Sequence, residues 1–159
     1  MERSTSTSSG DKGPPAVGGS AAPDPASFQT LLPGSPPTAK PLVSIIMVTH
    51  NDESFLAKCL RHLESLRYEP LELIVVDNAS SDGSVARVKR SRLAPTVIEN
   101  EVGRGWNRAC NQGAAVAKGD IFAFLNPDAF VPPEWLSELV ARLGENPDVA
   151  VMSLSLIHI

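Results

Sequence analysis

"PLVSIIMVTHNDESFLAKCLRHLESLRYEPLELIVVD" (residues 41–77) holds two short runs rich in Val, Ile and Leu, at 41–49 and 71–77, on either side of a segment with helical spacing. The runs read as strands, because β-branched and large apolar side chains suit the pleated, buried surface of a sheet. Between them Phe55, Leu56, Cys59, Leu60, Leu63 and Leu66 recur at three and four residues, after an Asn51-Asp52 pair able to cap a helix. Strand, helix and strand in this order predict parallel pairing through a right-handed crossover.

The alternation continues downstream. "PTVIEN" (95–100) and "DIFAFLN" (120–126) read as two more strands. A short helix is expected from Ser84 to about Arg92, and a longer one over Trp106 to Lys118, with Gly119 at the place of a left-handed cap. Another runs from Pro133 to Leu143, opened by a proline where a missing N–H costs least. "DVAVMS" (148–153) would start a further strand. The expected fold class is α/β, a mainly parallel, Rossmann-like sheet with helices on both faces.

Composition sets the flanks apart. Residues 1–40 are dominated by Ser, Gly, Pro, Ala and Thr, with too few large apolar side chains to offset ordering entropy, and read as a disordered leader. The last six residues, "LSLIHI" (154–159), look like a translation of CTG TCT CTT ATA CAC ATC, which resembles a transposase end used in DNA library preparation. They read as an adaptor-derived artefact, so residues 41–153 are expected to be a truncated domain.

The 159 residues are 42% hydrophobic and 20% charged, which places the chain among globular proteins of about one domain. A net charge of -4 argues against a nucleic-acid binder, which needs clustered Lys and Arg. Cys59 and Cys110 fall in helical segments without metal-ligand spacing and read as core residues of a protein in a reducing compartment. No run is long and apolar enough for a membrane span, and no secretory signal opens the chain, so the expected location is cytoplasmic, or peripheral at the inner face of the membrane.

Each expected strand ends in polar, turn-forming residues: Thr49-His50-Asn51, Asp77-Asn78 with Ser80 to Ser84, Asn100 to Gly105, and Asn126-Pro127-Asp128. In parallel α/β sheets ligands bind beyond the carboxyl ends of the strands, so these clusters share one rim. The chemistry suits a nucleotide. A uracil or thymine ring offers an N–H donor beside carbonyl acceptors; Asp77 can accept and Asn78 can donate or accept. The hydroxyls of Ser80 to Ser84 are expected to cap the following helix. Gly103 and Gly105 would admit a close backbone approach, and Arg104 or Arg108 could meet diphosphate oxygens. His50 suits hydrogen bonding better than general base catalysis. Asp128, beside Asn126, has the oxygen chemistry that a hard divalent cation prefers.

"VSIIMVTHN", "ELIVVDNASSDGS" and "GRGWNRACNQGAAVAKGDIFAFLNPD", in this order and spacing, resemble the N-terminal half of a glycosyltransferase family 2 enzyme, particularly its rhamnosyltransferase-like branch. The resemblance covers roughly 42–152. It implies a GT-A fold and an inverting transfer of a sugar from a UDP- or dTDP-sugar donor to a cell-surface polysaccharide or lipid-linked acceptor, with Mg or Mn. By that similarity Thr49, His50 and Asn51 lie near the nucleoside, Asp77 and Asn78 read the base, and Asn111 with Gly113 matches the N-x-G of the following helix. Asn126-Pro127-Asp128 matches the D-x-D element, Asp128 being the ligand of the diphosphate-bound metal. Ser80, Gly105 and Arg108 are counted among the expected donor contacts as well. Asn78, Asn126 and Gly103 depart from residues common in the family. The family's catalytic base lies beyond residue 153, so no residue here is assigned that role, and the acceptor site is expected to be missing. Two other readings are a GT-A-like sugar nucleotidyltransferase, which would favour a Gly-rich basic loop after the first strand, and a non-enzymatic flavodoxin-like or receiver-like domain, which would gather acidic residues at that strand's end.

Overall fold

The computed structural model describes residues 40–152. Four strands alternate with four helices: β1 (Val43–Thr49), α1 (Glu53–Glu64), β2 (Leu71–Asp77), α2 (Ser84–Lys89), β3 (Thr96–Glu99), α3 (Trp106–Val116), β4 (Ile121–Leu125) and α4 (Trp135–Glu145). All strand pairs are parallel, in the order β3-β2-β1-β4. The fold class is the α/β, Rossmann-like one expected from the sequence. Among the described residues no helix is long and apolar enough to cross a membrane. The expected leader, apart from Lys40, and the expected artefact at 154–159 lie outside the described residues.

All seven residues of β1 are buried, as fits a central strand covered on both faces. On one face Val43, Ile45, Met47, Leu73 and Val75 pack against Leu56, Cys59, Leu60 and Leu63 of α1, with Val88 of α2 and Trp135 and Leu136 of α4. Burying each of the α1 leucines contributes ~1.5–3 kcal/mol. On the other face Val48 and Val76 meet Ala109 and Cys110 of α3. Both cysteines are free and buried. Burial pushes both thiols up; for Cys59, with the nearby Asp128 charge adding to burial, the value reaches about 12.

Two local expectations are corrected. Gly119 is not a left-handed cap: α3 ends at Val116, its C-cap Ala117 is extended, and Gly105 is the glycine with a left-handed φ among the described residues. Gly119 is instead a point of close approach, where a Cβ would lie 2.6 Å from Ser44 N and Oγ and 2.8 Å from Leu42 O. The second correction concerns the strand expected over 148–153, since residues 148–152 form none. Their backbone makes the turn bond from Val149 N–H to Asn146 O, and Val151 is 85% exposed. An apolar run without a partner ladder is not a strand.

The strand order reverses between β1 and β4. The connections leaving β1 through α1 and α2 build β2 and β3 on one side, whereas α3 returns across the opposite face to place β4 on the other. Loops that diverge at such a point leave a crevice at the carboxyl ends of the strands.

Candidate functional site

A cleft of about 350 Å³ opens at that crevice, lined by Val48, Thr49, His50, Asp52, Phe55, Asn78, Trp106, Asn126, Pro127 and Asp128. It gathers Thr49, His50, Asn78, Asn126 and Asp128, five of the expected site residues, from the ends of three strands.

The β1–α1 loop is latched to the β2–α2 loop. Asn51 N–H donates to Ser80 Oγ (2.9 Å), Asp52 N–H to Ser84 Oγ (3.0 Å) and Glu53 N–H to Asp82 Oδ2 (3.2 Å). In return Ser81 N–H donates to Asn51 Oδ1 (2.8 Å) and Gly83 N–H to Glu53 Oε2 (3.1 Å). The bonds from Ser84, its hydroxyl first, hold the exposed Asp82 carboxyl below its ordinary value. The serine hydroxyls therefore do not cap α2, which has no side-chain cap, because they serve the neighbouring loop. Nor does Asp52 cap α1 through its side chain: Asp52 Oδ2 accepts from Thr49 Oγ1 (3.0 Å) and His50 N–H (2.9 Å). Asn51 and Ser80, both expected to touch ligand, brace the cleft from outside its lining.

His50 Nδ1 lies 2.9 Å from Asn78 O, which can only accept, so the proton sits on Nδ1; Nε2, 3.3 Å from Asn51 Nδ2, accepts. With both ring nitrogens engaged, the imidazole is an orienting group. Asp77 and Asn78 part company. Asp77 is 3% exposed, and its Oδ2 accepts from Ser80 N–H (3.0 Å) while Oδ1 is buried with no hydrogen-bond partner. It does not line the cleft. Asn78 does line it, and its amide is oriented: Arg104 N–H donates to Oδ1 (2.8 Å). A backbone N–H can only donate, so the amide oxygen must face it, and Nδ2 is left as the donor available to a ligand. Asn100, 8% exposed, supports this loop through a reciprocal amide pair with Gln112, at 2.9 and 3.0 Å.

At the opposite wall Asn126 and Asp128 are exposed around the buried Pro127. The β4–α4 segment rests on α1, where the Cys59 thiol faces Asn126 O (4.0 Å) and His62 Nδ1 donates to Val131 O (3.0 Å). The Asp128 carboxylate makes no ion pair among the described residues. No cluster of three or more His, Cys, Asp or Glu occurs among them, so a cation held at Asp128 would take its other ligands from phosphate and water oxygens, a pattern that Mg and similar ions accept. Gly105, Arg108 and Asn111 are exposed and do not line the cleft. Asp52, Phe55 and Trp106 line it without having been singled out: Asp52 had a cap's sequence signature, and both aromatics lie in segments read for their helical spacing.

Residues 44–157 match glycosyl transferase family 2. Among curated relatives, an uncharacterized glycosyltransferase of Haemophilus influenzae is 28% identical over 115 residues, covering 70% of this chain and 36% of the relative. The O-antigen biosynthesis protein RfbC of Myxococcus xanthus is 30% identical over 120 residues, 71% of this chain and 9% of the relative. A mannosyltransferase of Pyrobaculum calidifontis, solved with GDP-Man and Mn2+, superimposes with a TM-score of 0.63 at 33% identity, covering 67% of this chain and 33% of that one. TarS of S. aureus, solved with UDP-GlcNAc, gives 0.61 at 26% identity, covering 66% of this chain and 32% of that one. The chain thus spans about a third of the Haemophilus relative and of both solved structures. A parallel sheet whose order reverses at a strand-end cleft, the match over 44–157 and the GT-A-like neighbours agree: the chain belongs to glycosyl transferase family 2.

Proposed function

We propose that this chain supplies the donor-binding part of an inverting glycosyltransferase that takes a UDP- or dTDP-sugar, a rhamnosyl donor among the candidates, and glycosylates a cell-surface polysaccharide or lipid-linked acceptor. The observation that carries the reading is the convergence of Asn78 and Asp128 on one cleft at the point where the strand order reverses. Asn78 Nδ2 donates to a base carbonyl, and Asp128 ligates Mg or Mn beside the donor diphosphate. Solved relatives that bind GDP-Man with Mn2+ and UDP-GlcNAc support this chemistry. When bound, the cation offsets charge growing on the departing diphosphate. The chain's own contribution is to orient the donor: His50 and Asn78 brace each other across the strand ends, and the Asn126–Asp128 loop is held by α1. No residue of the chain is assigned as catalytic base, and the reaction is placed in the cytoplasm or at the inner membrane face.

Calorimetric titration of the chain with UDP tests the reading. Binding is expected with Mn2+ present, and Asp128→Ala should lose the metal-dependent part without a change in thermal midpoint. Unaltered affinity in the variant would remove Asp128 from the site.

A further inference from the structure

We propose that Trp106 is the stacking platform for the nucleotide base, a role that rests on the donor-cleft reading above. Trp106 opens α3 with 52% of its surface exposed, whereas the core face of that helix is built from Ala109, Cys110 and Gly113. Packing does not call for an indole there. Its position is nonetheless fixed from two sides. Gly105, at φ 78 and ψ 155, takes a backbone conformation that residues with a Cβ rarely adopt, and so sets the direction in which the chain enters α3. Two residues before Trp106, Arg104 N–H is bonded to Asn78 Oδ1, and further back Asn100 is tied to Gln112 of α3 and, through its own N–H, to Asp77 O. The loop that presents the indole is thus fastened to the residue that offers a hydrogen bond to the base.

A large apolar ring lining a cleft beside an amide donor and opposite a carboxylate matches the parts of a nucleoside diphosphate: a planar base with polar edges and an anionic tail that needs a cation. Stacking accepts any base, because every base has a π-face, so Trp106 supplies affinity and Asn78 supplies discrimination. Removing the indole then costs about 5- to 150-fold in affinity, the conversion of a stacking contribution of ~1–3 kcal/mol.

Titrations of the chain with UDP, GDP and CDP in Mn2+, followed by calorimetry, test this. Trp106→Ala should weaken all three by a common factor in that range, Trp106→Phe should restore most of it, and Mn2+ pyrophosphate, which has no base, should bind both variants like the parent chain. The chain has two tryptophans and Trp135 is 8% exposed, so saturating UDP should quench the emission of Trp106 and shield it from iodide. UDP binding with parent affinity to Trp106→Ala, or without any change in emission, overturns the stacking role while leaving the donor cleft standing. Equal weakening of pyrophosphate also overturns it, by showing that the variant disturbs the site as a whole. If no nucleoside diphosphate binds the parent chain, the donor-cleft reading falls and takes the platform with it.

Discussion

Replacing Gly119 by alanine separates three views of this residue by the sign and size of its effect. In an unconstrained loop, Gly→Ala stabilises by ~0.4–1 kcal/mol through the entropy of the unfolded chain. At a left-handed cap it would cost about 1 kcal/mol. The structure demands more. The added methyl would sit 2.6 Å from both Ser44 N and Ser44 Oγ and 2.8 Å from Leu42 O. Backbone atoms on β1 and just before it cannot swing aside as a side-chain tip can. Relief requires the start of β4 to move off β1, which strains Gly119 N–H to Ser44 Oγ (2.8 Å) and Asp120 N–H to Leu42 O (2.8 Å). Overpacking of this kind costs ~1–3 kcal/mol and a weakened hydrogen bond ~0.5–1.5 kcal/mol, for about 2–4 kcal/mol in all. For a domain near 100 residues that lowers the thermal midpoint by roughly 8–20 °C. Gly144 is the internal control: it lies in α4, and a methyl added there would meet nothing within 4 Å, so Gly144→Ala should stabilise by ~0.5–1 kcal/mol. Urea unfolding followed by circular dichroism reads both. A neutral or stabilised Gly119→Ala would refute the close-approach account. Because β4 carries Asn126 to Asp128 at its far end, the variant should also weaken Mn2+-dependent UDP binding.

Asn78→Asp keeps an acceptor for Arg104 N–H but removes the side-chain donor at that point of the cleft; the UDP-to-CDP affinity ratio should change by about threefold to tenfold, since a hydrogen bond between neutral groups is worth ~0.5–1.5 kcal/mol. Equal ratios in the two proteins would take Asn78 out of base recognition. His50→Ala is expected to weaken UDP binding about threefold to tenfold by freeing the Asn78 loop, consistent with one lost hydrogen bond of ~0.5–1.5 kcal/mol; an unchanged affinity would show that the brace is idle. Burial holds the Cys59 thiol at about 12, so at pH 8 a disulfide exchange reagent should react with it only after unfolding. Its unfolded thiol ionises near 9 while the folded one does not, so Cys59 contributes stability in full below that pH and loses it as pH rises toward 12. A Cys59→Ala variant whose denaturant midpoint falls as steeply as the parent's between pH 9 and 11 would remove that contribution.

The class of fold, and the rim on which the polar residues lie, follow from signals local to the chain. Strand composition at 41–49, 71–77, 95–100 and 120–126 and the three-to-four spacing around Leu56 and Leu60 are such signals, and the structure places β1 to β4 and α1 within those runs. The match to glycosyl transferase family 2 was legible for the same reason, because its motifs are contiguous words. Where the residues of each word lie is decided by tertiary contacts. The order β3-β2-β1-β4 brings Asp128 beside Thr49, and crossovers on opposite faces are not written in any one segment. Asp77 and Asn78 are adjacent in sequence, yet Asp77, the last residue of β2, is buried and Asn78, just beyond the strand, lines the cleft. Asn51 and Ser80 sit in separate polar words, and only the fold shows that Asn51 N–H donates to Ser80 Oγ while Ser81 N–H donates to Asn51 Oδ1. Gly119 reads as a cap from its place after a helix, and only the approach of Ser44 and Leu42, 75 or more residues earlier along the chain, shows why a side chain has no room there.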